Sequence, residues 1–331
     1  MQTHDTRLLD MLTTALGPVG RWLQDDTVVE IMANPDGRVW VEHQGDVPRP
    51  TGSILDAATV ERVIRLMASH GHTECHAATP SLSAVLPGNG ARFQAFVSPV
   101  VTSPAFVIRK KALRVFTLDE YVQDGIMPAA YATAITQAVQ DRRNIVIAGS
   151  TGSGKSTLAN AVLAVIATTG DRVVTIEDTP ELQCTAPNHL ALYTREGVAT
   201  MQQLVKDTMR CRPDRIIVGE VRDGAALDLL KAWGTGHPGG VATVHANGAR
   251  ETLTRLEQLV QEAVVTVPRQ LIADAVNLIV FLEWVPGGRR VTALADVAGL
   301  VQGAYVLRTV DPHPQKGPVW TPDLSVVSSA V

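Results

Sequence analysis

Eight consecutive residues, Gly149-Ser150-Thr151-Gly152-Ser153-Gly154-Lys155-Ser156, match the pattern Gly-x-x-x-x-Gly-Lys-Ser. At average composition a chain of this length would contain that pattern by chance about 0.01 times. The chemistry open to such a run is phosphate binding. Its glycines let successive backbone N–H groups turn inward around a phosphate, and the start of a following helix adds partial positive charge. Lys155 can reach β- and γ-phosphates, and the Ser156 hydroxyl can ligate Mg²⁺. Residues Gly149 to Thr157 are therefore expected to hold ATP with Mg²⁺. The duller alternative is a Gly-rich strand-to-helix turn with an exposed lysine.

Hydrolysis needs more than a cradle: a group to orient water and further charge near the metal. Three clusters supply candidates. Ile176-Glu177-Asp178-Thr179-Pro180-Glu181 places three acids just after an apolar run. Arg215-Ile-Ile-Val-Gly219-Glu220-Val221-Arg222 delivers a carboxylate at the end of another. Gly219 stands where many phosphate-loop ATPases have a metal-binding Asp, so the metal is expected to lean on Ser156, phosphate oxygens and water-mediated carboxylates. Thr235-Gly236-His237 runs through a Gly-rich turn into Val241–Val244 and ends at His245. Singly, each cluster has a structural reading: strand-end acids cap helices, and a lone histidine is most often a satisfied surface or core residue.

The elements that must position these residues are legible in hydrophobic periodicity. Asn144–Ala148, Arg172–Ile176, Arg215–Val218 and Gly240–Val244 are short Val/Ile runs alternating with helical stretches. That pattern predicts an α/β domain over 127–310, a mostly parallel sheet covered by helices. Residues 1–111 predict a smaller α+β domain. In it, two apolar runs flank the Asn34-Pro35-Asp36-Gly37 turn, a helix covers Thr59–Ser69, and strands cover Ala91–Val97 and Ala105–Lys110. A linker with a short helix is expected over 112–126, and a mobile tail over 311–331, where four prolines precede a Ser-rich end. Leu8, Leu9, Met11, Leu12, Leu16, Val19 and Leu23 lie at helical spacing, interrupted near Gly17-Pro18, and the stripe reads as core, because the flanking acids Asp5, Asp10, Asp25 and Asp26 disfavour anionic lipid.

Composition narrows the classes. The 331 residues are 45% hydrophobic and 19% charged, with net charge −4. That balance, with 4% aromatic residues, argues against a nucleic-acid motor with a basic, aromatic strand-binding face, so direct nucleic-acid binding is not expected. Cys75, Cys184 and Cys211 are too far apart for a four-cysteine zinc site. The first residues lack the blocks of a signal peptide, and no apolar run approaches a membrane span. A cytosolic protein is expected.

In this order the motifs resemble the type II/IV secretion ATPase superfamily. Its Walker A, Asp box, Walker B and His box fall on Gly149–Ser156, Glu177–Glu181, Ile216–Glu220 and Thr235–His245. Val29–Glu42 and Gly90-Ala91-Arg92-Phe93 look most like the TrbB-type conjugative-transfer branch. The resemblance implies a RecA-like ATPase domain and a homohexamer at the cytoplasmic side of the inner membrane. It would associate with that membrane peripherally and work with components of a conjugative type IV secretion apparatus. It also implies roles: Glu220 orients water, Glu177, Asp178 and Glu181 tune the metal, and His245 senses the γ-phosphate. Arg92 and Arg109 would approach that phosphate from the N-terminal domain. One departure is Arg222-Asp223-Gly224-Ala225, where the family often has Glu-Ala. A pilus-type motor, a RecA-like nucleic-acid motor and a non-hydrolysing scaffold remain alternatives.

Overall fold

The computed structural model describes residues 4–44, 46–86, 90–110, 114–195, 197–312 and 320–323. The chain divides into two compact units, Met1–Leu113 and Arg114–Val331.

The first unit is an antiparallel sheet with helices on one face. In chain order its elements are α1 (His4–Leu16), α2 (Arg21–Gln24), β1 (Val28–Ala33), β2 (Arg38–His43), β3 (Arg49–Ile54), α3 (Ala57–His70), β4 (Ser81–Val85), β5 (Arg92–Phe96) and β6 (Ala105–Arg109). Their order in the sheet is β3-β2-β1-β6-β5-β4. The β1–β2 turn is tight because Gly37, at φ +79°, lets its N–H return to Asn34 O. Alternate residues Ile31, Phe93, Phe106 and Ile108 are buried with Leu12, Leu16, Val63 and Met67 from the helices. Of the N-terminal stripe, Leu8, Leu12, Leu16, Val19 and Leu23 are core while Met11 is exposed, and the helix breaks at Gly17, whose φ is +55°.

The second unit is a doubly covered sheet. Its elements are α4 (Leu118–Gln123), α5 (Ala129–Gln140), β7 (Ile145–Gly149), α6 (Lys155–Ile166), β8 (Val173–Glu177), β9 (His189–Tyr193), α7 (Met201–Thr208), β10 (Arg215–Val218), α8 (Ala225–Gly234), β11 (Val241–His245), α9 (Ala249–Gln261), α10 (Arg269–Ala275), β12 (Leu278–Val285), β13 (Gly288–Val301), β14 (Ala304–Val310) and β15 (Trp320–Asp323). The sheet order is β15-β14-β13-β12-β7-β11-β10-β8-β9. From β12 to β9 neighbouring strands run parallel, while β13, β14 and β15 extend the sheet antiparallel. Alternation explains why the central strands look apolar throughout. Val146, Ala148, Ile216 and Val218 enter one core with α8 and α9, while Ile145, Ile147 and Ile217 enter the other with α5 and α6. Each fully buried Val or Ile contributes roughly 1.5–3 kcal/mol. The site therefore stands on a rigid base.

Two sequence expectations change. The stretch expected as a linker with a short helix does contain one, α4, opened by a capping box in which Thr117 and Glu120 bond reciprocally. Leu118, Tyr121 and Met127 are buried in the core shared with α5 and α6, so from residue 114 onward this segment belongs to the second unit. Most of the expected tail lies outside the described residues, but Trp320–Asp323 pairs with β14 as an edge strand.

Candidate active site

The C-terminal ends of β7, β8, β10 and β11 lie side by side, the position where open parallel sheets bind ligands. They deliver Gly149, Glu177, Gly219-Glu220 and His245; in register, His245 pairs with Gly149. Gly149 must lack a side chain, because a Cβ there would sit 2.3 Å from Leu282 O. Gly152 and Gly154 have φ of +73° and +98°, which turns the chain around the loop and into α6. Thr157 lies in the first turn of that helix.

Lys155 is only 7% exposed, and its ammonium has turned back onto the loop. It donates to Ser150 O at 2.8 Å and Gly149 O at 3.1 Å. It also lies 3.4 Å from His245 Nδ1. An ammonium can only donate, so Nδ1 accepts and the ring proton sits on Nε2, facing Glu220 Oε1 at 3.0 Å. Burial and the Lys155 charge hold His245 below the usual histidine pKa and outweigh Glu220. The ring is neutral near pH 7.

Glu220 continues the relay. Its Oε2 accepts from Arg222 at 2.8 Å, and Arg222 reaches Asp178 Oδ2 at 3.3 Å. Burial alone raises the Glu220 carboxyl, but Arg222, His245 and Lys155 together hold it below its ordinary value. Asp178 in turn accepts from the Thr194 hydroxyl at 2.9 Å. The result is one connected series: Lys155, His245, Glu220, Arg222, Asp178.

The other acids bond different partners. Glu177 is buried, and its Oε1 accepts from the N–H groups of Glu181 and Leu182, both at 2.8 Å. It fixes the turn after β8. A Cβ on Gly219 would lie 2.9 Å from Glu177 Cγ, so the Glu177 stem fills the space a side chain at 219 would need. Glu181 Oε2 accepts from Ser156 Oγ at 2.6 Å. Among the described residues no group of three or more His, Cys, Asp or Glu could by itself hold a metal ion. The Ser156–Glu181 pair does fit a hard, oxygen-preferring ion that takes its remaining ligands from phosphates and water. Ser153 Oγ, fully buried in the loop, has no hydrogen-bond partner among the described residues. With Lys155 folded onto carbonyls, that orphan hydroxyl fits a loop built to rearrange around an anion.

Arg92 and Arg109 belong to the first unit, where they are cross-strand neighbours on β5 and β6. Glu30 continues the row opposite Arg109 on β1. Burial pushes the Glu30 carboxyl up, and Arg109 opposes that shift. The acid offsets repulsion between adjacent arginines.

Several participants carry no role in the sequence motifs. Arg222 is one; its position two residues beyond Glu220 was the available signal. A second group lies on α9. Glu251, Thr254, Arg255 and Gln258 face Ser150, Thr151 and His245 across a cavity of about 470 Å³. His237, from the same motif as His245, stands elsewhere: its Nδ1 lies 3.0 Å from Pro213 O, in the loop that precedes β10.

The family described as "Type II/IV secretion system protein" matches residues 14–286. The chain belongs to that family. It is 50% identical to the conjugal transfer protein TrbB of Rhizobium radiobacter, over 86% of this chain and 88% of that protein. It is 31% identical to the type IV secretion system protein VirB11 of Bartonella henselae, over 80% and 85% of the two chains. The expected resemblance to the TrbB-type branch is borne out. The fold is shared with the Legionella pneumophila ATPase DotB, at TM-score 0.59 and 19% identity over 82% of this chain and 78% of that one. Among the described residues, no helix is long and apolar enough to cross a membrane.

Proposed function

We propose that this protein is an ATP hydrolase with a RecA-like phosphate-loop domain over 127–310, driving assembly or substrate transfer in a conjugative type IV secretion apparatus. The observation that carries the reading is the connected series from Lys155 through His245 to Glu220 and Arg222 at the mouth of the phosphate loop. The TrbB relative at 50% identity supports the pathway.

The residues divide the work. Gly149 to Thr157 bind ATP, and Lys155 exchanges loop carbonyls for phosphate oxygens. Ser156 and Glu181 would hold Mg²⁺, which supplies charge neutralisation on the phosphates when bound. Glu177 shapes the turn that presents Glu181, and Asp178 holds Arg222. Glu220 is fully ionised near neutral pH, which suits it to orienting and polarising water. When Lys155 leaves His245 for the phosphates, the ring loses its donor and is exposed to the γ-phosphate, so His245 reports whether that phosphate is present. Arg92 and Arg109 of the N-terminal domain would approach the γ-phosphate, a contact worth about 10³–10⁵ in rate in related chemistry. Loss of the phosphate would release that domain, an order-to-release switch. The working form would be a homohexamer in the cytoplasm, bound peripherally to the inner membrane through partners of the apparatus.

Steady-state phosphate release tests the reading. Wild type is expected to turn over ATP, and Lys155→Ala to abolish turnover. Wild type without turnover, even with membranes and partner components present, would leave a nucleotide-binding scaffold instead.

A further inference from the structure

The sequence motifs all lie on one flank of the phosphate loop. Strand β7 has β11 on one side and β12 on the other, and β10, with Glu220 beyond its end, lies past β11. The β12 flank carries none of the family motifs, yet it is also built. In register, Leu282 of β12 pairs with Gly149, the last residue of β7. Residues 283–285 therefore extend beyond β7, alongside the loop, before the chain turns through Gly287 and Gly288 into β13.

On this hairpin Trp284 and Arg289 are directly opposite each other. Opposed residues share a face of the pair. The Arg289 guanidinium lies 4.9 Å from the centroid of the Trp284 ring, and Trp284 is 43% exposed. The same arginine reaches the phosphate loop. A Cβ built on Gly154 would lie 3.5 Å from Arg289 Cδ and 4.0 Å from Nη1. The hairpin is anchored on both sides, by β12 along β7 and by the N–H of Val291 donating to Ile126 O at 2.9 Å. A planar cation is thus stacked on an exposed indole and held beside the glycine that opens α6.

We propose that Arg289, held by Trp284, is a nucleotide-binding residue that grips the diphosphate portion of the ligand from the flank opposite Glu220. The inference rests on the phosphate loop being the nucleotide site. Guanidinium suits this position because its fork matches phosphate oxygens while its face stays on the indole. The γ-phosphate side is already taken up by Lys155, His245 and Glu220, on the β11 flank. Contact from the β12 flank therefore serves the part common to ATP and ADP, and acts on retention rather than on sensing.

Calorimetric titration of the full chain with ADP and with a non-hydrolysable ATP analogue tests this. Arg289→Ala is expected to weaken both ligands by about 10-fold or more and by the same factor. Arg289→Lys should fall between, since a point charge replaces the fork, and Trp284→Ala should cost a few-fold for both ligands. Lys155→Ala, run in parallel, addresses the site itself. If wild type binds and Lys155→Ala does not, the site stands. Arg289→Ala within about 2-fold of wild type then overturns the proposal, as does a loss confined to the ATP analogue. If Arg289→Ala does not fold, Arg289→Lys binding as tightly as wild type overturns it. If wild type binds neither ligand, or Lys155→Ala binds as wild type does, the phosphate-loop reading fails and this inference falls with it.

Discussion

The two ends of the parallel sheet in the second unit each bury charge, and they use it differently. At the N-terminal ends of the strands, Arg215 is 1% exposed and every arm of its guanidinium is engaged. Nε donates to Asp171 at 2.6 Å, Nη2 to Val139 O at 2.9 Å and Nη1 to Gly239 O at 3.2 Å. Arg142 bonds the other oxygen of Asp171. Nearby, Asn144 accepts from Gly240 N–H and donates to Ala275 O. At the C-terminal ends, Lys155 is nearly as buried, but its contacts include two carbonyls of its own loop and one imidazole nitrogen. Partners at the first end are fixed by the starts of strands and the ends of helices. Partners at the second can be exchanged for a ligand. Burial alone does not distinguish a structural charge from a working one; the replaceability of its partners does.

That contrast can be broken by mutation. The largest expected effect is on folding: Arg215→Ala leaves Asp171 buried with one partner fewer and should cost about 3–5 kcal/mol in denaturant unfolding. Glu220→Gln should instead reduce steady-state phosphate release by about 10²–10⁴. Arg222→Ala comes next. It removes the group that does most to keep Glu220 ionised, so turnover should fall about 10-fold and the acid limb of its pH profile should move upward. The smallest effect is a position on the pH axis. Glu220 and His245 both titrate below their ordinary values in the free protein, so the required forms, carboxylate and neutral ring, persist as pH falls through the ordinary histidine value of 6.5. The acid limb of kcat/KM, which reports the free enzyme, should therefore lie below 6.5. A limb at or above that value would break the electrostatic account.

The open end was largely legible in the sequence and the closed end was not. Gly149–Ser156 is a local pattern, and Glu220 and His245 terminate runs whose apolar character announces buried strands. Arg215 sits at the start of such a run and reads as a flanking residue; only tertiary packing brings Asp171, Val139 and Gly239 around it. Glu177 shows the converse limit. Sequence grouped it with Asp178 and Glu181 as metal-tuning acids, while the fold gives it two backbone N–H groups to hold. The helix at 118–123 was expected within a linker, because Leu118, Tyr121 and Met127 are too sparse to mark a buried face. The β12–β13 hairpin, with Arg289 beside Gly154, depends on long-range pairing that no local pattern encodes.

The contrast between the two ends is tested most directly by equilibrium unfolding of Glu220→Gln and Asp171→Asn, side by side with wild type. The account expects Asp171→Asn to lose about 3 kcal/mol or more, because it strips charge from a buried pair with fixed partners. It expects Glu220→Gln to unfold within about 1 kcal/mol of wild type, or to be more stable, since working charges are held at a cost to the fold. Equal losses in the two variants would contradict it.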